Sequence, residues 1–235
     1  MIIRTLVARL LVVIFLILFI VPIGIVMLMP EKFRRHNRFV AWLMSCLYRT
    51  ALWCSLVPIT VKGKKNIPNS PVVIVANHQS SLDIPLLGSL LGRHSHIWIA
   101  RSDLTGSWLF RFILPYFAIV TDVNSPIKSM RSLVKIIHLV KGEKCHVLIF
   151  PEGQRYDDDK VHEFFSGFVM LSKKIDRPVV PVRIFNANKV YAREAFWVRS
   201  YPITVVVGHP MKMALHETDD DFKKRVELWF AQVKE

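Results

Sequence analysis

The chain has 235 residues, 52% of them apolar, and carries a formal net charge of +14 at pH 7. This length suits one domain with an appendage, and the excess of basic residues calls for an anionic partner. Nucleic acid is excluded as that partner because the chain has no recognisable nucleic-acid-binding motif. The cysteines Cys46, Cys54 and Cys145 are odd in number and lack metal-ligand spacing. They indicate buried free thiols in a reducing compartment and exclude a disulfide framework.

The first predicted element is an apolar helix over residues 10–29, a stretch without a charged side chain. It is long enough to cross the hydrocarbon core of a bilayer. A secretory signal peptide is the competing interpretation, but the charged segment 30–35 follows it in place of a small-residue cleavage site. We therefore expect an uncleaved membrane anchor. The basic residues after it favour a cytoplasmic C-terminal side, and a helix bent at Pro22 into one leaflet is the alternative.

A second helix is predicted over residues 38–57, where apolar and aromatic residues repeat at helical spacing. Trp42 and Trp53 suit the headgroup region of a bilayer, and a core helix packed on the following domain fits the pattern equally well. Basic residues in this part of the chain favour anionic lipid headgroups as the partner. We assign residues 1–57 to a membrane-associated helical segment and residues 58–235 to an α/β domain.

Short apolar runs separated by helical patterns fill the domain after residue 58. Because their apolar character is continuous and does not alternate, they indicate strands buried on both faces. The predicted fold is α/β, with a mostly parallel central sheet covered by helices. The predicted strands cover residues 59–61, 72–76, 97–100, 118–120, 147–150, 179–184 and 204–207.

Two helices of this domain are marked by clear start signals. Ser125 and the following proline are expected to begin one of them, with Ile127, Met130, Val134 and Ile137 on one face. A C-terminal helix is expected after residue 218, because a threonine and three aspartates precede an apolar stripe there.

Polar residues follow the second predicted strand, at the sheet edge where parallel sheets place their active crevices. They include Asn77, His78 and Asp83. His78 exchanges protons near neutral pH, and Asp83 is close enough to orient it if the chain turns back. An aspartate held on one ring nitrogen leaves the other free to accept a proton from a hydroxyl. Asp83 also precedes Ile84 and Pro85, so we expect it to be the N-cap of a helix.

A second polar cluster, Phe150-Pro151-Glu152-Gly153-Gln154-Arg155, follows the fifth predicted strand. Its proline and glycine turn the chain sharply. Glu152 and Arg155 are therefore expected in the same crevice as His78 if the two strands are neighbours. The guanidinium of Arg155 can bind a phosphate through two parallel hydrogen bonds.

Together these two motifs resemble the glycerolipid acyltransferase family, whose best-known members acylate lysophosphatidic acid. Asn77-His78 with Asp83 matches the first motif of the family, and residues 150–153 match the third. Val180-Pro181-Val182 is similar to the fourth motif, and residues 100–104 are similar to a basic segment that faces the acceptor phosphate. The resemblance covers residues 58–210.

The resemblance implies transfer of a fatty acyl group from a thioester, on coenzyme A or acyl carrier protein, to the sn-2 hydroxyl of 1-acyl-glycerol-3-phosphate. The product is phosphatidic acid. His78 is then the general base, and Asp83 holds it. The residues implied in substrate binding are Asn77, Arg101, Glu152, Gly153, Arg155 and Pro181. The resemblance implies no cofactor, a membrane bilayer as partner, and a bacterial inner membrane with the catalytic domain on its cytoplasmic side.

Two departures from the family pattern leave more than one acceptor lipid possible. The second motif usually ends in an arginine, which residues 118–123 lack, and Gln154 replaces the usual threonine of the third motif. With Arg183, these changes are similar to bacterial enzymes that re-acylate lysophosphatidylethanolamine. A lipid ester hydrolase is a third alternative, disfavoured because Gly-x-Ser-x-Gly is absent.

No metal site is expected. His94 and His96 lack a third ligand at suitable spacing, and we interpret them as loop residues. The three aspartates at 157–159 are expected to form a solvated loop of like charges.

Overall fold

The computed structural model describes residues 2–101, 116, 118–121, 126–192 and 197–235. The strands found in these residues all join one sheet, and each coincides with a predicted apolar run. They are β1 Ile59–Lys62, β2 Val73–Ala76, β3 His96–Arg101, β4 Ala118–Thr121, β5 His146–Ile149, β6 Val179–Phe185 and β7 Ile203–Val207.

The sheet has the strand order β1-β7-β6-β2-β5-β3-β4. Neighbouring strands are parallel except for β6 and β7, which are antiparallel. The mostly parallel α/β fold predicted from the sequence is confirmed. Because β2 lies between β5 and β6, the carboxyl ends of these three parallel strands meet at one sheet edge.

Helices cover both faces of the sheet. Their bounds are α1 Ile2–Leu28, α2 Glu31–His36, α3 Arg38–Cys54, α4 Asp83–Leu91, α5 Pro126–Val140, α6 Gly167–Ile175, α7 Ala187–Val190 and α8 Asp219–Gln232. On one face, Ile74 of β2 is buried in a cluster with Leu52 of α3 and Leu87 of α4. On the other face, Val73 is buried in a cluster that includes Phe168 of α6. Burial on both faces explains why the strands are continuously apolar.

The N-terminal helix α1 contacts the rest of the chain near both of its ends. Arg4 donates a hydrogen bond to the carbonyl of Leu56 at 2.9 Å, and Val26 is buried in a cluster with Val40 and Leu43 of α3. Most other apolar side chains of α1 remain exposed. The helix is apolar and long enough to cross a membrane, by length and composition. The predicted apolar helix is confirmed, and it extends further towards the N-terminus, to Ile2.

Helix α3 enters the core through Tyr48. The ring of Tyr48 packs on Gly88 of α4 so closely that a Cβ atom at position 88 would lie 2.3 Å from it. The hydroxyl of Tyr48 accepts a hydrogen bond from Nε1 of Trp98 at 3.0 Å and pairs with Nε2 of His96 at 3.0 Å. Burial raises the pKa of Tyr48, so the phenol stays neutral. One face of α3 is therefore core, and the opposite face exposes Trp53.

One expectation about a helix end needs correction. Asp83 is the first residue of α4 and Leu82 occupies the cap position, so the predicted N-cap role of Asp83 is wrong. Of the four residues predicted on one face of α5, Ile127, Met130 and Val134 are exposed, whereas Ile137 packs against the buried cluster that includes Ile136. Ser125 lies outside the described residues.

Candidate active site

The carboxyl end of β2 brings His78 and Asp83 together. Nδ1 of His78 and Oδ2 of Asp83 are 2.7 Å apart, and the Asp83 side chain is fully buried while that of His78 is 16% exposed. The same Oδ2 accepts hydrogen bonds from the main-chain N–H groups of Gln79 at 2.6 Å and Ser80 at 2.7 Å. The chain therefore turns back on itself as expected, and the carboxylate is fixed by main-chain donors as well as by the imidazole.

This arrangement sets the proton positions on His78. The carboxylate only accepts, so Nδ1 carries the proton that lies between the two side chains. Nε2 is then the nitrogen that can take a proton from a hydroxyl. The imidazole stacks on the ring of Phe150, with centroids 3.9 Å apart and planes 9° apart, which fixes the plane of the base.

Glu152 lies in the same crevice, because β5 pairs directly with β2. Its carboxylate accepts hydrogen bonds from the main-chain N–H of His78 at 2.9 Å and of His162 at 3.4 Å. Burial raises the pKa of Glu152 to about 7, and the two main-chain amides act against that shift. Glu152 thus holds the backbone of the candidate base in place, and its predicted role in shaping the acceptor site stays a prediction.

Arg155 and Gly153 complete the turn after β5. Gly153 has a positive φ of 70°, a conformation that favours glycine. Nη1 of Arg155 donates a hydrogen bond to Oγ of Ser81 at 2.8 Å, which places the guanidinium beside the His78 loop. Arg101 is the last residue of β3, and its side chain lies outside the described part of the chain, as do residues 102–104.

Two residues predicted to bind substrate have structural contacts here. The side-chain amide of Asn77 pairs with the main chain of Ile184, donating to its carbonyl at 2.9 Å and accepting from its N–H at 2.7 Å. This amide clamp joins the ends of β2 and β6. Pro181 is buried inside β6, opposite Val75, and its carbonyl accepts from the N–H of Gly208 at 2.8 Å. A substrate contact for either residue stays a prediction.

Sequence reasoning missed the loop of residues 154–163, which folds over the first motif. The side chain of Gln79 donates to the carbonyl of Asp158 at 2.9 Å, and the N–H of Tyr156 donates to the carbonyl of His78 at 3.0 Å. Nε2 of His162 pairs with Asp158 at 2.9 Å. The run of three aspartates marks a polar loop, but no sequence signal indicates that its main chain caps the crevice. Across the described residues, no group of three or more His, Cys, Asp or Glu side chains is placed to hold a metal.

Comparison with known proteins identifies the class. A family model described as Acyltransferase matches residues 58–185, which is more than half of the chain. The chain therefore belongs to the acyltransferase family, and the resemblance drawn from its motifs is confirmed.

Two curated relatives of the chain share one name. The 1-acyl-sn-glycerol-3-phosphate acyltransferase of Pseudomonas aeruginosa is 28% identical over 218 residues, covering 85% of this chain and 78% of that protein. The protein of the same name from Cocos nucifera is 26% identical over 174 residues, covering 73% of this chain and 54% of the coconut protein. The chain thus spans about half the length of that relative.

A solved structure shares the fold. The crystal structure of the 1-acyl-sn-glycerophosphate acyltransferase PlsC from Thermotoga maritima superposes with a TM-score of 0.75 and 22% sequence identity. The match covers 98% of this chain and 94% of that one, so the likeness includes the N-terminal helices as well as the sheet.

Proposed function

We propose that this protein acylates the sn-2 hydroxyl of 1-acyl-glycerol-3-phosphate with the acyl group of a thioester, giving phosphatidic acid. The observation that carries the proposal is the 2.7 Å contact between Nδ1 of His78 and Asp83 at the carboxyl edge of the sheet. The motifs around it match the acyltransferase family, and the relatives named above support this acceptor.

The chemistry needs one base and no covalent enzyme intermediate. Nε2 of His78 takes the proton of the glycerol hydroxyl as its oxygen attacks the thioester carbonyl. The tetrahedral intermediate expels the thiolate, which recovers that proton from the imidazolium. The buried carboxylate of Asp83 stabilises the imidazolium between these two steps. Coenzyme A or acyl carrier protein supplies the thioester, and no metal or cofactor takes part.

The acceptor phosphate is assigned to the basic side chains that border the crevice. Arg155 reaches Ser81, three residues after His78, and a guanidinium there is placed to neutralise a phosphate near the base. Arg101 at the end of β3 is the second proposed contact. The loss of the usual arginine from residues 118–123 keeps lysophosphatidylethanolamine as the alternative acceptor, because a zwitterionic headgroup needs less positive charge.

The substrates explain the helical segment at the N-terminus. Helix α1 exposes apolar side chains along most of its length, and soluble proteins rarely expose an apolar surface of this kind. We propose that α1 holds the protein on a bilayer, where lysophospholipids reside. The proposed location is a bacterial inner membrane, with the catalytic domain on the cytoplasmic side.

The deciding experiment measures thiol release from an acyl thioester by the purified full chain in phospholipid vesicles. We expect release to require 1-acyl-glycerol-3-phosphate and to yield phosphatidic acid. His78→Ala should abolish transfer, whereas His216→Ala, which changes an exposed histidine, should leave it intact. Equal release without any acceptor would identify a hydrolase, and acylation of lysophosphatidylethanolamine alone would replace the proposed acceptor.

A further inference from the structure

The exposed face of α5 is unusual for a helix that covers a sheet. Ile127, Met130 and Val134 are 67%, 48% and 45% exposed. On the side turned to the sheet, Ile136 is buried, and Leu133 and Ile137 pack at the edge of the same cluster, between Ile136 and the exposed residues. The helix therefore has two apolar faces, and the core of the domain uses only one of them.

Basic residues flank the outward apolar side chains. Lys128, Arg131 and Lys135 are exposed, and each directly follows one of the three outward apolar residues. No acidic residue occurs between Pro126 and Val140. Apolar side chains bordered by lysine and arginine on one helix face are typical of helices that lie in the interface of an anionic bilayer.

The position of α5 in the fold connects this face to the N-terminal helices. Helix α5 packs against β4, the last strand at one end of the sheet. Helix α2 reaches the same strand region: the guanidinium of Arg34 lies 4.7 Å from the ring centroid of Tyr116. A cavity of about 60 Å³ is lined by Arg34 together with Ala118 and Ile119 of β4. Since α2 follows α1 directly, α5 and the segment that continues from α1 both lie at the β4 end of the sheet.

We propose that this face of α5 lies on the anionic surface of the bilayer, as a second membrane contact beside α1. The inference rests on the membrane association proposed above. A bilayer is favoured over an acidic protein partner because α5 shares the β4 edge with the segment that continues from α1. Two separate contacts would fix the angle of the sheet relative to the membrane, which a single helix leaves free to rotate.

The test places a fluorescent label on the proposed contact. Val134→Cys and, as control, Lys65→Cys are labelled in a full chain whose partly buried Cys46 is replaced by serine. Lys65 lies just after β1, at the opposite end of the sheet. On vesicles of phosphatidylcholine and phosphatidylglycerol, we expect iodide to quench the label at 134 several-fold less than the label at 65.

A matched pair of charge reversals tests the role of the basic residues. Arg131→Glu with Lys135→Glu should restore quenching at 134, and Lys64→Glu with Lys65→Glu, which changes the net charge equally, should not. Equal quenching at 134 and 65 on protein that floats with the vesicles overturns the inference and leaves the membrane proposal standing. Protein that fails to float overturns both. Protection at 134 that appears only when an acidic carrier protein is added assigns the face to that protein and also overturns the inference.

Discussion

Replacing Asp83 by asparagine separates the charge of this residue from its geometry. In the structure, Oδ2 of Asp83 accepts from the main-chain amides of Gln79 and Ser80 as well as facing Nδ1 of His78. These two main-chain N–H groups are donors, and in the asparagine amide only the carbonyl oxygen can accept from them. We therefore expect the asparagine to place its carbonyl oxygen where Oδ2 lies, so that His78 keeps its proton on Nδ1.

The expected loss of rate follows from that orientation. Where an asparagine presents its amide group to the histidine, as in serine proteases, the wrong tautomer costs about 10⁴-fold in kcat. In this protein, Asp83→Asn is expected to remove only the negative charge of the side chain. Two charges about 4 Å apart at an effective dielectric constant of about 20 interact by roughly 4 kcal/mol, and a charged hydrogen bond exceeds a neutral one by about 1 kcal/mol. The barrier should rise by about 1 to 4 kcal/mol, so kcat should fall by about 5-fold to 1000-fold.

The assay is kcat at saturating thioester and acceptor, together with ¹⁵N spectra of histidine-labelled protein. We expect the Nδ1-protonated tautomer of His78 to persist in Asp83→Asn. A fall of about 10⁴-fold with the opposite tautomer would show that the main-chain amides do not control the side chain. An unchanged kcat would show that the carboxylate charge has no part in the reaction.

Three further changes test the phosphate site and the fold. Arg155→Ala should raise the acceptor KM at least several-fold with little change in kcat, while Lys160→Ala, on the same loop, should leave KM unchanged. If Arg155→Ala had the KM of the parent protein, the phosphate would bind elsewhere. Burial, reinforced by nearby basic groups, lowers the pKa of His146 to about 4. The unfolded chain therefore binds this proton more readily than the folded protein does. As the pH is lowered from about 6.5 to 5, the free energy of unfolding should fall by about 2 kcal/mol. His146→Gln should flatten that dependence in thermal unfolding and His216→Gln should not; an unchanged slope in His146→Gln would refute the assignment. Arg177→Met should lower stability by about 3 kcal/mol or more, because the guanidinium donates to three main-chain carbonyls, those of Val140 at the end of α5 and of Glu143 and Cys145 after it. A melting temperature within a degree of the parent would contradict this.

The strands and the His78–Asp83 pair were predictable because they depend on local sequence. Continuous apolar runs located every described strand, and the two polar clusters lie directly after β2 and β5, which are neighbours. What was missed depends on tertiary contacts. No local signal shows that Asn77 pairs with Ile184, 107 residues away, or that Glu152 accepts from the backbone of the base.

The spacing of apolar residues along a helix also does not show which way their shared face points. The spacing of Ile127, Met130, Val134 and Ile137 predicts one shared helix face, of which the structure exposes the first three residues and packs Ile137 against the buried cluster. It cannot say which of the two apolar faces meets the sheet, because residues one turn apart repeat equally well on both. The start of α4 shows the same limit. Asp83 has the sequence signature of a cap, but its carboxylate binds the amides that precede the helix instead.

The place of Tyr48 limits how the exposed apolar surface of α1 can be removed from this protein. Deleting α1 to α3 would empty the slot beside Gly88 and leave the indole N–H of Trp98 without its acceptor in the middle of the core. A shortened chain that starts at residue 58 should therefore aggregate. Polar replacements on the outward side of α1, with α3 left whole, are the better route to a water-soluble enzyme.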